Sequence, residues 1–125
     1  MNYPKLKGVR ILVVDDEPLV LDTIKEHLEL EGVVVNTAIS GNEALKMLAD
    51  KTYNLILSDI RMPNGSGTEL LKNVLSSSHQ APPLILMSSF GDITDKKARA
   101  LGARGMFLKP DSMENLKELL AESLN

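Results

Sequence analysis

The sequence predicts one α/β domain built on a five-stranded parallel sheet with helices on both faces. Three observations support this fold class. The chain has 125 residues, the size of one ordinary domain, so residues 1–125 are read as a single unit. Five short apolar runs alternate with longer amphipathic stretches. The runs lack the polar alternation of half-exposed strands, which favours parallel strands covered by helices through right-handed crossovers.

Each predicted strand is a run of three or four apolar residues, and the fifth run is the weakest. Aromatic residues make up only 3% of the chain and tryptophan is absent, so the core must be aliphatic. The five runs are residues 11–14, 33–35, 55–57, 84–87 and 106–108.

The stretches between the runs predict helices, because their apolar residues recur at spacings of three and four. Two serines precede these stretches at capping positions: Ser40, with Glu43 at the spacing of a capping box, and Ser112 before the last helix. The apolar stripes are Leu21, Ile24 and Leu28; Ala44, Leu45 and Leu48; Leu70, Leu71, Val74 and Leu75; and Met113, Leu116, Leu119, Leu120 and Leu124.

The fourth predicted helix, at about residues 92–101, has the poorest apolar face. Its inward candidates are Ile93, Ala98, Ala100 and Leu101. Alanine side chains bury little apolar area, so this helix should be held less firmly than the last one. The fourth helix is therefore the part of the domain that we expect to move.

The composition restricts the expected binding partners and the expected cellular location of the protein. The net charge is −3, from 14 basic and 17 acidic residues with no dense basic cluster, which argues against direct binding of nucleic acid. No apolar run approaches the roughly 20 residues that cross a bilayer, so no membrane association is expected. Cysteine is absent, and the short polar N-terminus does not resemble a secretory signal. A cytoplasmic location is the simplest expectation.

Polar residues follow four of the five predicted strands, and the second strand is the exception. Ligands of open α/β sheets bind beyond the carboxyl ends of the strands, so these residues are the candidate site. They are Asp15, Asp16 and Glu17 after the first strand, Ser58 and Asp59 after the third, Ser88 and Ser89 after the fourth, and Lys109 after the fifth.

Electrostatics indicates what this edge could bind. Two carboxylates about 5 Å apart repel by roughly 3 kcal/mol at an effective dielectric near 20. If Asp15, Asp16 and Asp59 lie close together, a bound cation would relieve this repulsion. Mg²⁺ prefers such oxygen ligands together with water and phosphate oxygens. A carboxylate can also attack phosphorus to give an acyl phosphate, a reaction that needs mainly alignment and charge neutralisation. Lys109 and Ser88 could supply both.

The chain resembles the receiver domain of bacterial two-component response regulators. The resemblance lies in four segments that occur in order and at the spacing of the family: residues 11–18 (ILVVDDEP), 57–63 (LSDIRMP), 88–92 (SSFGD) and 109–110 (KP). It covers essentially the whole chain, and the four segments together are far more specific than any one of them.

The resemblance implies a flavodoxin-like (βα)5 fold with strand order 2-1-3-4-5. It implies that Asp59 accepts a phosphoryl group from a histidine kinase or a histidine phosphotransfer protein, catalysing only its own phosphorylation and slow dephosphorylation. The implied ligands of Mg²⁺, with Mn²⁺ as an alternative, are Asp15, Asp16, Asp59 and the backbone carbonyl of Arg61. Ser88 and Lys109 would contact the phosphoryl group, and the Lys109–Pro110 peptide would be cis.

Further expectations follow from the poor apolar face of the fourth helix and from the same resemblance. Phosphorylation would shift the loosely held fourth helix between two states and so recruit an output partner or effector domain that the sequence does not identify. A phosphorylation-dependent dimer is also expected. Arg61 and Phe90 flank the site, where they would tune hydrolysis of the acyl phosphate. Receivers often carry Tyr or Phe three residues before the lysine; here that residue is Met106, followed by Phe107, and which of them acts there stays open.

Three other functions were weighed. An aspartate-based phosphatase of the haloacid dehalogenase kind needs a second Asp two residues after the nucleophile, where this chain has Arg61. A flavodoxin-like cofactor binder needs a hydroxyl- and glycine-rich loop after the first strand, where the acidic triplet would repel phosphate. A degenerate receiver that only contacts proteins is disfavoured because every acceptor-site residue is present.

Overall fold

The structure is a computed structural model that describes residues 3–77, 81–89, 93–109 and 111–124. A short 3-10 helix at Pro4–Leu6 precedes the sheet. The strands are β1 (Arg10–Val14), β2 (Val34–Ala38), β3 (Leu55–Asp59), β4 (Leu84–Ser88) and β5 (Gly105–Leu108). The helices are α1 (Pro18–Glu29), α2 (Gly41–Asp50), α3 (Gly67–Ser77), α4 (Asp95–Ala100) and α5 (Met113–Ser123).

The predicted sheet is confirmed. All neighbouring strands are parallel, in the order β2-β1-β3-β4-β5. Val14 at the end of β1 lies opposite Ala38 of β2 and Ser58 of β3, so these strands end almost level. The level ends matter because they bring the residues that follow β1 and β3 to the same edge.

Helices cover both faces of the sheet and form two separate cores. One face packs α1 and α5 on β1, β3 and β4, with Leu28, Leu116 and Leu120 fully buried. The other packs α2, α3 and α4 on the sheet through Ala44, Leu71 and Ala98. None of the helices in the described residues has the length and hydrophobicity that a bilayer crossing requires.

Both predicted serine caps are present. The Ser40 hydroxyl accepts the backbone N–H of Glu43 at 3.1 Å, and the Ser112 hydroxyl accepts that of Asn115 at 3.0 Å. These bonds satisfy backbone donors that the first turn of a helix leaves unpaired. They therefore fix the starts of α2 and α5.

The structure differs from the sequence prediction in the bounds of β2 and in the exposure of two apolar side chains. β2 begins at Val34 and extends to Ala38, and Val34 is exposed because β2 is an edge strand. Leu75 of α3, assigned to the apolar stripe, is also exposed. An apolar side chain at a sheet edge or near a helix end stays exposed when no neighbouring element covers it.

The fourth helix is shorter than predicted. It starts at Asp95, because the Thr94 hydroxyl accepts the backbone N–H of Lys97 and caps it there, and it has six residues. Ala98 is its buried residue, whereas Ala100 and Leu101 are exposed, contrary to their assignment as inward. A helix of fewer than two turns directs few side chains toward the sheet. Residue 92, where the helix was expected to begin, lies outside the described residues.

Two glycines allow the backbone of the loop after β3 and the starts of α2 and α3 to pack closely against other backbone. A Cβ at Gly67, the first residue of α3, would collide with the backbone oxygen of Asp59. Gly41 at the start of α2 donates its N–H to the carbonyl of Gly65 at 2.9 Å, and a Cβ there would lie 2.7 Å from that oxygen. Glycine is required at both positions because backbone approaches backbone directly.

We expect Gly67→Ala to lower the free energy of unfolding by about 2 kcal/mol or more, since overpacking against rigid backbone forces a displacement. Gly105→Ala is the matched control, because a Cβ there would meet only side-chain atoms at 3.4 Å. It should cost less than about 1 kcal/mol. Urea unfolding of both variants checks the prediction, and equal losses would contradict it.

Candidate functional site at the carboxyl edge of the sheet

The carboxyl ends of four strands bring the predicted site residues to one edge. Asp15 directly follows β1, Asp59 ends β3, Ser88 ends β4 and Lys109 directly follows β5. Because β1 and β3 are neighbours that end almost level, Asp15 and Asp59 come from adjacent strands. The sheet therefore holds these side chains close together although they are far apart in sequence.

Lys109 joins the two aspartates. Its Nζ lies 3.0 Å from Asp15 Oδ2 and 3.5 Å from Asp59 Oδ1. The exposed fractions of the three side chains are 14% for Lys109, 0% for Asp15 and 12% for Asp59. A shielded ammonium between two shielded carboxylates is an arrangement in which breaking one contact leaves a buried charge without compensation.

Both carboxylate oxygens of Asp15 accept hydrogen bonds. Oδ2 accepts the hydrogen bond of Lys109, and Oδ1 accepts the backbone N–H of Glu17 at 3.0 Å. The backbone N–H of Asp15 donates to the carbonyl of Ala38 on β2 at 3.0 Å, which continues the sheet by one residue. These contacts fix the carboxylate before any ligand binds.

Asp15, Asp16 and Glu17 form an acidic cluster in which one carboxylate oxygen from each residue lies within 4.8 Å of the others. Asp15 is buried, whereas Asp16 and Glu17 are exposed. Asp59 is not one of the three and is connected to them through Lys109. Glu17 is the N-cap residue of α1, but its side chain makes no capping hydrogen bond.

The charges at this edge perturb the titration of two groups. Burial, followed by the neighbouring Asp15 carboxylate, raises the pKa of Asp59 from its ordinary 3.8 to about 6, although Lys109 opposes both effects. Burial by itself would lower the pKa of Lys109. The hydrogen bond and charge of Asp15, with those of Asp59, outweigh burial, so the pKa is raised overall.

The remaining site residues divide into buried and exposed groups. Ser88 is buried and Ser89 exposed, as expected for neighbouring residues at a strand end. The Ser88 carbonyl accepts the backbone N–H of Lys109 at 2.7 Å, which joins β4 to the residue after β5. Arg61 is exposed and follows Asp59 by two residues. Phe90 and Pro110 lie outside the described residues, so the expected cis peptide and the role of Phe90 stay predictions.

The two residues considered for the aromatic position lie in different cores. Phe107 is 4% exposed and belongs to the core under α1 and α5. Met106 is half-buried and packs against the core under α2, α3 and α4. Phe107 therefore faces away from the side on which α4 lies, and Met106 faces toward it.

A groove of about 380 Å³ opens beside the site, between α1 and the start of α5. Glu17 and Lys109 lie at its polar end, and Val20, Ile24 and Phe107 form apolar walls. Leu19, also in its lining, is 81% exposed.

The strand order and the acidic edge define the class of protein: a doubly wound α/β protein whose ligand site lies beyond β1, β3 and β5. Residues 11–121 match the family described as the response regulator receiver domain. The chain belongs to this family and is a receiver domain of two-component signalling.

Individual relatives agree with the family assignment. The chain is 36% identical to PilG of Pseudomonas aeruginosa over 113 residues, which are 87% of this chain and 82% of PilG. It is 30% identical to the response regulator PilR of the same organism, covering 92% of this chain but only 26% of PilR. The crystal structure of Thermotoga maritima TrrA in complex with Mg²⁺ and BeF superposes with a TM-score of 0.83 at 32% identity, covering 92% of this chain and 98% of TrrA.

The raised pKa of Asp59 predicts a dependence of stability on pH. Between about pH 4 and pH 6 the folded chain binds a proton at Asp59 more tightly than the unfolded chain does, so stability falls as the pH rises through this window. In metal-free buffer at pH 7, Asp59→Asn should raise the free energy of unfolding by up to about 3 kcal/mol, at roughly 1.4 kcal/mol per pKa unit.

The gain should shrink toward zero as the pH falls below about 4, because Asp59 then becomes protonated in the unfolded state as well as in the folded state. Lys109 keeps its contact with Asp15 in the variant, so no ammonium is left unpaired. Urea unfolding at both pH values is the measurement, with Asp22→Asn on the surface of α1 as the control for losing one negative charge. An Asp59→Asn variant less stable than wild type at pH 7 would refute the assigned repulsion.

Proposed function

We propose that this domain is a phosphorylation switch in which Asp59 accepts a phosphoryl group from a histidine kinase or a histidine phosphotransfer protein. The observation that carries the proposal is the contact of the Lys109 ammonium with Asp15 and Asp59 at a shielded sheet edge. It supports a site where a carboxylate nucleophile stands beside a fixed positive charge.

The reaction forms an acyl phosphate. A carboxylate oxygen of Asp59 attacks the phosphorus of a phosphohistidine, the phosphorus–nitrogen bond breaks, and the imidazole leaves with the electron pair of that bond. Lys109 neutralises negative charge on the transferred oxygens, and the hydroxyl of Ser88 is proposed to donate a hydrogen bond to one of them. Asp59 must be ionised to attack, and positive charge beside it favours the ionised form.

The acidic residues fit a hard divalent cation. Their side chains offer only oxygen ligands, and the repulsion that raises the pKa of Asp59 would be relieved by added positive charge. We propose Asp15, Asp16, Asp59 and the backbone carbonyl of Arg61 as ligands of Mg²⁺ or Mn²⁺. The exposed carboxylate of Glu17 lies near enough to Asp15 and Asp16 to hold a coordinated water. When bound, the metal supplies positive charge that screens the carboxylates from the incoming phosphoryl oxygens.

The phosphorylated domain is proposed to signal through α4. Phosphorylation adds charge and hydrogen-bond acceptors at Asp59, which Ser88 and Lys109 move to satisfy. A helix that buries only Ala98 has little packing to resist such a shift. A partner then recruits whichever state it binds better.

Other parts of the proposal follow from the family rather than from this site. The whole chain, residues 1–125, is proposed to be one receiver domain, and Arg61 and Phe90 are proposed to tune hydrolysis of the acyl phosphate. The effector or output partner is unidentified, and relatives such as PilR are much longer than this chain. A phosphorylation-dependent dimer, a cytoplasmic location and the lack of direct binding to nucleic acid stay predictions.

Replacement of the acceptor tests the proposal most directly. Wild type incubated with acetyl phosphate and Mg²⁺ should gain one phosphoryl group, seen by intact-protein mass spectrometry, and Asp59→Asn should gain none because the amide is not a nucleophile. Asp22→Asn, on the surface of α1, should label like wild type. Labelling of Asp59→Asn at the wild-type rate would refute the assignment of the acceptor.

Replacement of Asp16 tests the metal site. Asp16→Asn should weaken Mg²⁺ binding by about tenfold or more, since each 1.4 kcal/mol lost costs a factor of ten. Without metal the same variant should be slightly more stable than wild type, because one of the clustered carboxylates is gone. Titration calorimetry and thermal unfolding measure the two effects. Unchanged Mg²⁺ affinity would remove Asp16 from the ligand set.

A further inference from the structure

A side-chain hydrogen bond joins α4 to the edge strand β5. The backbone N–H of Met106 in β5 donates to Oδ1 of Asp95, the first residue of α4, at 3.0 Å. The other oxygen of Asp95 accepts Nε of Arg99 at 2.7 Å, one turn further along the helix. Both oxygens of this carboxylate are therefore used, one to hold the strand and one to hold its own helix.

This hydrogen bond is a large part of what attaches α4. In the part of the chain that the structure describes, it is the one hydrogen bond between α4 and β5. Ala98 is the buried residue of the six-residue helix, and one alanine contributes little apolar burial. This hydrogen bond thus comes from a carboxylate whose side chain is 54% exposed.

The same strand leads directly into the site. Lys109 follows β5 and lies three residues after Met106. Its Nζ is closer to Asp15, at 3.0 Å, than to Asp59, at 3.5 Å. A phosphoryl group on Asp59 would add negative oxygens there and draw the ammonium away from Asp15. A shift of Lys109 that displaced the end of β5 would strain the bond at Met106, which lies in the same strand.

We propose that the Asp95–Met106 hydrogen bond restrains the switch: it ties α4 to β5 and opposes the movement of Lys109 toward a phosphoryl group on Asp59. The inference rests on the proposed function of Asp59 and adds a positioning residue outside the site. By linkage, any group at Asp59 that moves Lys109 also weakens the bond at Met106, and loss of that bond favours the group at Asp59 to the same degree.

Three variants isolate the hydrogen bond. Asp95→Ala removes the acceptor for Met106 and also the partner of Arg99. Asp95→Asn removes the charge but keeps a side-chain oxygen that can accept the N–H of Met106. Arg99→Ala removes the ion pair within α4 and the guanidinium that lies beside Gly105 of β5, and it leaves the acceptor for Met106 in place. The probe is beryllium fluoride with Mg²⁺, the pair bound in the TrrA structure, titrated into each ¹⁵N-labelled full chain.

Asp95→Ala should bind beryllium fluoride about threefold to tenfold more tightly than wild type, the range that corresponds to one net hydrogen bond. Asp95→Asn and Arg99→Ala should stay close to wild type. Equal affinity of Asp95→Ala and wild type would overturn the inference alone. A gain in Asp95→Asn or Arg99→Ala as large as that in Asp95→Ala would also overturn it, since charge rather than the hydrogen bond would then be responsible.

Hydrogen exchange of the unaltered protein gives a second test that does not depend on how the variants fold. Beryllium fluoride should speed exchange at the Met106 amide while leaving the amides of β1 unchanged. Slower or unchanged exchange at Met106 in a chain that binds the probe would refute the restraint. A wild-type chain that binds no beryllium fluoride would overturn the proposed function and this inference with it.

Discussion

The contact of Lys109 with Asp15 and Asp59 is the interaction on which the rest of the site depends. Three charged side chains meet where each has little access to water, and none of them would be tolerated there alone. Their meeting requires that β1, β3 and β5 present their carboxyl ends at the same edge. The parallel sheet with β1 beside β3 meets that requirement, and an antiparallel sheet would send neighbouring ends to opposite edges.

Lys109 does not fully neutralise the negative charge at the carboxyl edge of the sheet. Lys109 opposes the effects that raise the pKa of Asp59, yet burial and Asp15 still raise it to about 6. The ionised form of Asp59 is therefore less stable than that of an ordinary aspartate. Anything that adds positive charge beside it lowers the energy of the site. The same imbalance costs stability and creates affinity for a cation, a compromise that is common where function requires like charges to lie together.

Backbone contacts place Asp59 as firmly as charges do. The loop after β3 turns back sharply, and α3 starts so close to the Asp59 carbonyl that only glycine fits at Gly67. The same loop is bonded through Gly65 to the start of α2. Asp59 is thus fixed by its strand on one side and by a turn docked on a second helix on the other. In the proposed switch, a rigid Asp59 would leave the response to phosphorylation to the side of the sheet that is less firmly packed.

Much of this could be predicted from the sequence, because strand ends in parallel sheets obey a simple rule. Apolar runs mark the strands, and the residues just after them are the candidate site, which is how Asp15, Asp59 and Lys109 were selected. The exposed Leu75 and Leu101 could not be predicted, since burial depends on how far a helix extends over the sheet. The position of Glu17 beside Asp15 and Asp16 depends on loop conformation, which periodicity does not encode.

The Asp95–Met106 contact was beyond reach of the sequence for a further reason. It joins a side chain to a backbone N–H eleven residues away, and any residue type except proline at position 106 would supply the same donor. Sequence patterns indicate the secondary structure that side chains favour, whereas this contact depends on where α4 packs against β5. The elements that patterns describe least well are those with few buried residues, and a switch must be built from such elements because a well-packed core resists displacement. The weak apolar face of α4 is therefore consistent with its proposed role.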